Sequence, residues 1–142
     1  MTPEELARLH RLAFSLPPPW SASDFAAFIS DPSCILVTRA EREGILAFGL
    51  FRVVADEAEL LTLATAPEAR RKGLARDIMR EGLARVQAHG GGQCFLEVAA
   101  NNCAAILLYQ SLGFKQVGLR KSYYHAAGSQ SVDALVFRAI LG

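Results

Sequence analysis

Three apolar runs between Cys34 and Ala66 constrain this chain more than any other feature. "CILVTRA", "ILAFGLFRVV" and "AELLTLATA" are rich in branched and aromatic residues and are separated only by "EREG" and "ADE". Runs of that composition read as strands, and connections this short join antiparallel neighbours, so a three-strand meander is expected. A sheet of this kind needs helices to cover it. With 142 residues, 51% of them hydrophobic, the chain has material for one core, and a single domain over 1–142 is the expectation.

Two helices precede the meander. "PEELARLHRLAF" sets Leu6, Leu9 and Ala13 at helical spacing behind Thr2 as a cap, and "SASDFAAFISD" repeats the style after the "PPPW" turn. From Gly73 the apolar positions become Ala75, Ile78, Met79, Leu83 and Val86, with Arg76, Asp77, Arg80, Glu81 and Arg85 elsewhere, which is an amphipathic helix that "GGG" at Gly90 to Gly92 stops. "CFLEVAA" reads as a strand, "NCAAILLYQSL" as a helix capped by Asn102, and "FKQVGLR" and "SVDALVFRAI" as the last two strands. The order is ααβββαβαββ, an α/β chain without internal repeat, low-complexity tract or linker.

Charge and cysteine usage exclude several classes of function. Fifteen basic against fourteen acidic side chains leave +1, too little for a general nucleic-acid or membrane binder. Cys34, Cys94 and Cys103 are odd in number and have no CxxC pairing, so they read as buried thiols in a reducing compartment. His10, His89 and His125 form no metal-binding spacing, and no metal is expected. The first residues lack the blocks of a signal peptide and no apolar run reaches about 18 residues, so a soluble, cytoplasmic protein is expected.

Local electrostatics concentrate in "RRKGLAR", which begins at Arg70, follows a strand and an "APEA" turn, and leads into a helix. A helix start presents unpaired N–H groups carrying a partial positive charge of about half a unit, and binds phosphate well. Gly73 lets the backbone come close to an anion, Ala75 keeps that approach open, and Arg70, Arg71 and Lys72 add full charges. Neither GxxxxGK[ST] nor GxGxxG is present, so an ATP-type or dinucleotide loop is excluded. A solvated basic turn and a site for a diphosphate on another cofactor both remain open on spacing alone.

"RRKGLA" resembles the Q/R-x-x-G-x-G/A turn of the GCN5-related N-acetyltransferases (GNAT), where it grips the pyrophosphate of acetyl-coenzyme A. "LTLATAPEARRKGLAR", "FLEVAANNCAAILLYQSLGF" and "RKSYYH" are similar, in order and spacing, to the RimI-type ribosomal-protein-alanine acetyltransferases, with "DEAELL" and "DALVF" adding to the likeness. The likeness covers about residues 55 to 137, and more loosely "PPWSASDF". It implies a GNAT fold, a mixed and mostly antiparallel sheet flanked by helices. The family's first edge strand is expected to be missing, because this chain begins almost at the first helix. The implied partners are acetyl-CoA, with no metal, and a protein or peptide N-terminus, with a ribosomal protein as the family's acceptor.

Acetyl transfer to an amine needs a base, because an α-amino group of pKa about 7.7–8.0 or a lysine near about 10.4 is largely protonated at pH 7, and an acid helps the thiolate leave. Glu97 interrupts the apolar "CFLEVAA" strand; alternation puts it with Phe95 and Ala99 on one face, which by itself reads as an outward-facing position. The resemblance implies that Glu97 is the proton acceptor. Tyr109 reads as a packed aromatic, and the resemblance makes it the proton donor near the cofactor sulfur. Glu59 is a strand-edge charge that the histone-type branch of the superfamily would make a rival base or substrate contact.

The same likeness carries the cofactor contacts. Leu63, Ala64 and Thr65 match the strand segment whose backbone pairs with the pantetheine arm, and Arg70, Arg71, Lys72, Gly73, Leu74, Ala75 and Arg76 match the pyrophosphate turn. Asn102 matches a residue that touches the cofactor as well as capping its helix. Tyr123 and Tyr124, beside Arg120 and Lys121, match a region that shapes the peptide side, though a structural aromatic pair reads equally well. Ala99 stands where the family commonly has arginine, and His125 where proline is frequent, and both departures fall on the acceptor side. Two further functions stay open: the same chemistry on a lysine or small amine, and acyl-CoA binding without turnover.

Overall fold

The computed structural model describes residues 2–13, 19–42, 44–125 and 131–142, the side chains of Tyr124 and His125 excepted. Its order is α1 (Pro3–Ala13), α2 (Ala22–Ile29), β1 (Cys34–Glu41), β2 (Gly44–Val54), β3 (Glu57–Thr65), α3 (Leu74–Ala88), β4 (Gln93–Ala99), α4 (Cys103–Ser111), β5 (Lys115–His125) and β6 (Ser131–Ile140). This is the order read from the sequence. Phe14, at the end of the expected first helix, and part of the "PPPW" turn lie outside the described residues. No strand precedes α1 among those described, and no described helix is long and apolar enough to cross a membrane.

Caps explain where the helices begin. Glu5 N–H donates to Thr2 Oγ1 at 3.1 Å, and Ser21 and Asp24 exchange side-chain and backbone bonds in a capping box. Asn102 Oδ1 accepts from Ala105 N–H at 3.2 Å, as its position ahead of α4 implies. α3 is different: its N-cap is Gly73, at φ 77, and no side chain caps it.

The six strands form one sheet in the order β1-β2-β3-β4-β6-β5, antiparallel except where β3 meets β4. One face carries α1 and α2 over Phe48 and Ala64; the other carries α3 and α4 over Phe51, Leu60, Leu96 and Phe137. The β2–β3 register passes from Leu50↔Thr62 to Phe51↔Leu60, so Leu61 has no partner and the alternation of β3 inverts there. Ala58 and Leu60 therefore pack under α3, while Thr62 and Ala64 face α1. Glu59 is turned to the α1 face by the same count.

β3 and β4 pair only from Glu57↔Gln93 to Glu59↔Phe95. Beyond that point the two strands part, and the sheet opens between Leu60–Thr65 and Leu96–Ala99.

Candidate active site

On the α1 face, where β3 and β4 begin to separate, a cleft of about 450 Å³ is lined by Arg52, Val54, Glu57, Ala58, Glu59, Phe95, Leu96, Glu97, Arg120 and Val136. Its charges come from four strands, β2, β3, β4 and β5. β4 alternates as its sequence demands, with Cys94, Leu96 and Val98 in the core and Glu97 on the cleft face, its side chain 27% exposed. Arg120 Nε from β5 stands 3.1 Å from Glu97 Oε1, and Arg52 Nη2 from β2 stands 3.7 Å from Glu59 Oε2. Of the three carboxylates that line the cleft, Glu59 and Glu97 each stand beside an arginine from another strand, and Glu57 accepts from Gln93 Nε2 at 3.4 Å.

Tyr109 lies on the other side. α4 places it in the core beneath β4, 7% exposed, with Phe114 edge-to-face at 5.8 Å between ring centroids. Glu97 and Tyr109 do not share a face. Glu97 lines the cleft, and Tyr109 belongs to the core on the α3 and α4 side of the sheet.

At the end of β3 the chain makes a short 3-10 turn, Pro67–Ala69, runs extended at Arg70, and becomes left-handed at Arg71 (φ 66) and again at Gly73 (φ 77). Backbone that turns in this way makes a concave nest of N–H groups, and here it leads directly into the uncapped first turn of α3. No atom lies within 4 Å of where a β-carbon on Gly73 would stand, so the approach to that turn is open. Arg71 and Lys72 are exposed beside it, Ala75 and Arg76 half-buried. These residues fit a diphosphate. Arg70 is partly drawn away, its guanidinium 3.5 Å from the Ala13 carbonyl, and the Leu74 side chain packs between the two cores, which leaves only its backbone for an anion.

Residues 4–114 match the Acetyltransferase (GNAT) family. The chain is 34% identical over 119 residues to the ribosomal protein bS18-alanine N-acetyltransferase of Escherichia coli K12, covering 83% of this chain and 78% of that one. The chain belongs to the GNAT family. A crystal structure of the Escherichia coli S18-alanine enzyme superposes with a TM-score of 0.89 at 28% identity over 99% of this chain and 88% of that one. The N-alpha-acetyltransferase RimI of Mycobacterium tuberculosis is 30% identical over 132 residues, covering 90% and 82%. As a GNAT protein of this kind, the chain is an acetyl-CoA-dependent N-acetyltransferase.

Within this GNAT fold the expected residues fall into two groups. Glu59 and Glu97 meet in the cleft, while Leu63, Ala64 and Thr65 border the gap and lead to the basic turn. Asn102 caps α4 at the exposed surface. Tyr123 is half exposed with the Arg120 guanidinium 5.2 Å from its ring centroid; Tyr124 pairs with Val132 in the β5–β6 ladder, and its side chain lies outside the described residues, as does that of His125. The expectation of three buried thiols is corrected at Cys103, which is the exposed first residue of α4, and at the half-buried Cys34. Cys94 is buried, which pushes its thiol up to about 12. Among the described residues no three histidine, cysteine or acidic side chains gather as a metal site.

Sequence reasoning passed over Arg52. It is the one charged residue in "GILAFGLFRVV", the same signal that singled out Glu97 in its strand. The extension of the fifth strand past Arg120 to His125 was also missed, because the ladder there is broken by a bulge.

Proposed function

We propose that the protein moves an acetyl group from acetyl-CoA to the α-amino group of a protein N-terminus, with an alanine-headed ribosomal protein as acceptor. The observation that supports this reading is that Glu97 lines a charged cleft where β3 and β4 part, with the open basic turn before α3 at the far end of β3. The names of the relatives at 34% and 30% identity favour the N-terminal acceptor.

Acetyl-CoA supplies an activated thioester. Arg71, Lys72, the Gly73 backbone and the first N–H groups of α3 hold its pyrophosphate, and the Leu63–Thr65 backbone borders the slot for its pantetheine arm. An α-amine enters the cleft protonated, and Glu97 accepts its proton directly or through one water, leaving the nitrogen lone pair free. Arg120 keeps Glu97 in place on the cleft face. Tyr109 holds a phenolic proton on the far side of β4 for return to the departing thiolate. Glu59, paired with Arg52 on the same cleft, draws the cationic amine in.

The test is acetylation of a peptide that offers both an N-terminal alanine and an internal lysine, with the acetyl group located by fragmentation mass spectrometry. Acetyl on the α-amine is the expected result. Acetyl on lysine alone would move the enzyme to side-chain acceptors, and acetyl-CoA binding without transfer to a wide amine panel would leave a binding module.

A further inference from the structure

The most irregular backbone near the cleft is in β5. Its ladder with β6 runs to Arg120↔Ala134 and resumes at Tyr124↔Val132, so Lys121, Ser122 and Tyr123 stand opposite Asp133 alone. Ser122 sits at φ 52, a left-handed conformation that a β-carbon disfavours. Asp133 holds it there: Ser122 N–H donates to Asp133 Oδ1 at 2.8 Å, a hydrogen bond strengthened by the carboxylate charge. The main chain of Asp133 is tied as well, its carbonyl accepting from Ala100 N–H at 2.8 Å at the end of β4.

The bulge decides which side chains share a face. In a regular strand Arg120 and Tyr123, three residues apart, point to opposite sides. Here the Arg120 guanidinium lies 5.2 Å from the Tyr123 ring centroid while its Nε reaches Glu97. Asp133 itself lines no part of the cleft.

We infer that Asp133 is a positioning residue for the acceptor side of the site: by holding Ser122 left-handed it brings Tyr123 against Arg120, the partner of Glu97. This rests on the reading of the cleft as the place where the amine binds. A device of this sort acts on the acceptor and leaves the cofactor turn, at the far end of β3, untouched.

Steady-state kinetics with the alanine-headed, lysine-containing peptide test it, whichever of its two amines the wild-type enzyme acetylates serving as reporter. Asp133→Ala is expected to raise the peptide KM about tenfold while acetyl-CoA affinity changes less than about twofold. Asp133→Asn, whose amide oxygen can still accept from Ser122, stays near wild type. Adding Ser122→Gly to Asp133→Ala recovers most of the loss, because glycine takes φ 52 without help. Ser122→Val, which keeps the carboxylate but penalises the left-handed backbone, gives a similar KM rise and serves if Asp133→Ala does not fold. An unchanged peptide KM in folded Asp133→Ala, no recovery on adding Ser122→Gly, or an equal loss of acetyl-CoA affinity would each overturn the inference. Glu97→Gln in the same assay separates the two ideas: wild-type turnover there removes Glu97 as base, while the KM split in Asp133→Ala still decides the role of Asp133.

Discussion

Arg120 Nε stands 3.1 Å from Glu97 Oε1, yet the two residues belong to strands that are not neighbours, for β6 runs between β4 and β5. The ion pair reaches across Val136, the β6 residue opposite Glu97. It keeps a carboxylate half-covered and oriented on the cleft face. Glu97→Gln removes the proton acceptor and keeps the shape, so turnover should fall by about 10²–10⁴, the usual worth of a general base, with acetyl-CoA affinity unchanged. Glu59→Gln should cost less than about tenfold in turnover and appear mainly in the acceptor KM. Steady-state kinetics with calorimetric cofactor titration read both, and a larger loss from Glu59→Gln would exchange the roles.

Tyr109→Phe keeps the ring against Phe114 and deletes the hydroxyl. Turnover should fall by about 10²-fold or more in a variant that still unfolds cooperatively in urea. Wild-type turnover in this variant would make Tyr109 a packing residue only.

Much of this site was legible because strands and amphipathic helices have simple periods. The alternation of "CFLEVAA" placed Glu97 opposite the core, and the glycine in "RRKGLAR" marked the start of α3. The bulge at Leu61 was not legible, since "AELLTLATA" reads equally well as an unbroken strand; yet it sends Leu60 and Thr62 to opposite faces. Nor could composition show that Tyr109 and Glu97 lie on different sides of β4, or that Ser122 is left-handed, because both follow from pairing between distant segments.

Gly73 is left-handed at the mouth of α3 with open space where a β-carbon would go. Gly73→Ala therefore clashes with nothing in the protein but imposes a left-handed penalty of about 1–2 kcal/mol and a methyl group in the anion's path. Acetyl-CoA affinity should fall about tenfold while the peptide KM, measured at saturating acetyl-CoA, holds. Isothermal titration at two salt concentrations would check this, the salt dependence reporting Arg71 and Lys72.

Gly82 faces the ring of Phe51, and a β-carbon on it would overlap that buried ring. Gly82→Ala gains about 1 kcal/mol of helix propensity and should still destabilise by about 1–3 kcal/mol, because the core beneath α3 has no room for a methyl group. Urea unfolding measures the sign. Phe51→Leu in the same background should recover part of the loss, and additive losses would place the strain elsewhere.

His10 is 1% exposed among Trp20, Phe25 and Phe48, and its hydrogen bonds assign its tautomer. Trp20 N–H donates to Nδ1 at 2.8 Å, so Nε2 carries the proton and donates to Thr62 Oγ1 at 2.8 Å, joining α1 to β3 just after its bulge. Burial lowers the pKa from 6.5 to about 4. Between those values the unfolded chain binds a proton that the folded protein refuses. This contribution to stability is therefore complete above about pH 6.5, declines as pH falls, and is gone below about pH 4. From pH 7 to pH 5 the loss from this one group is about 2 kcal/mol. Urea unfolding of wild type and His10→Gln at both pH values isolates it: the wild type should lose about that much more than the variant. Equal losses would assign the acid sensitivity to other groups and mean that His10 takes up its proton alike in the folded and unfolded chain.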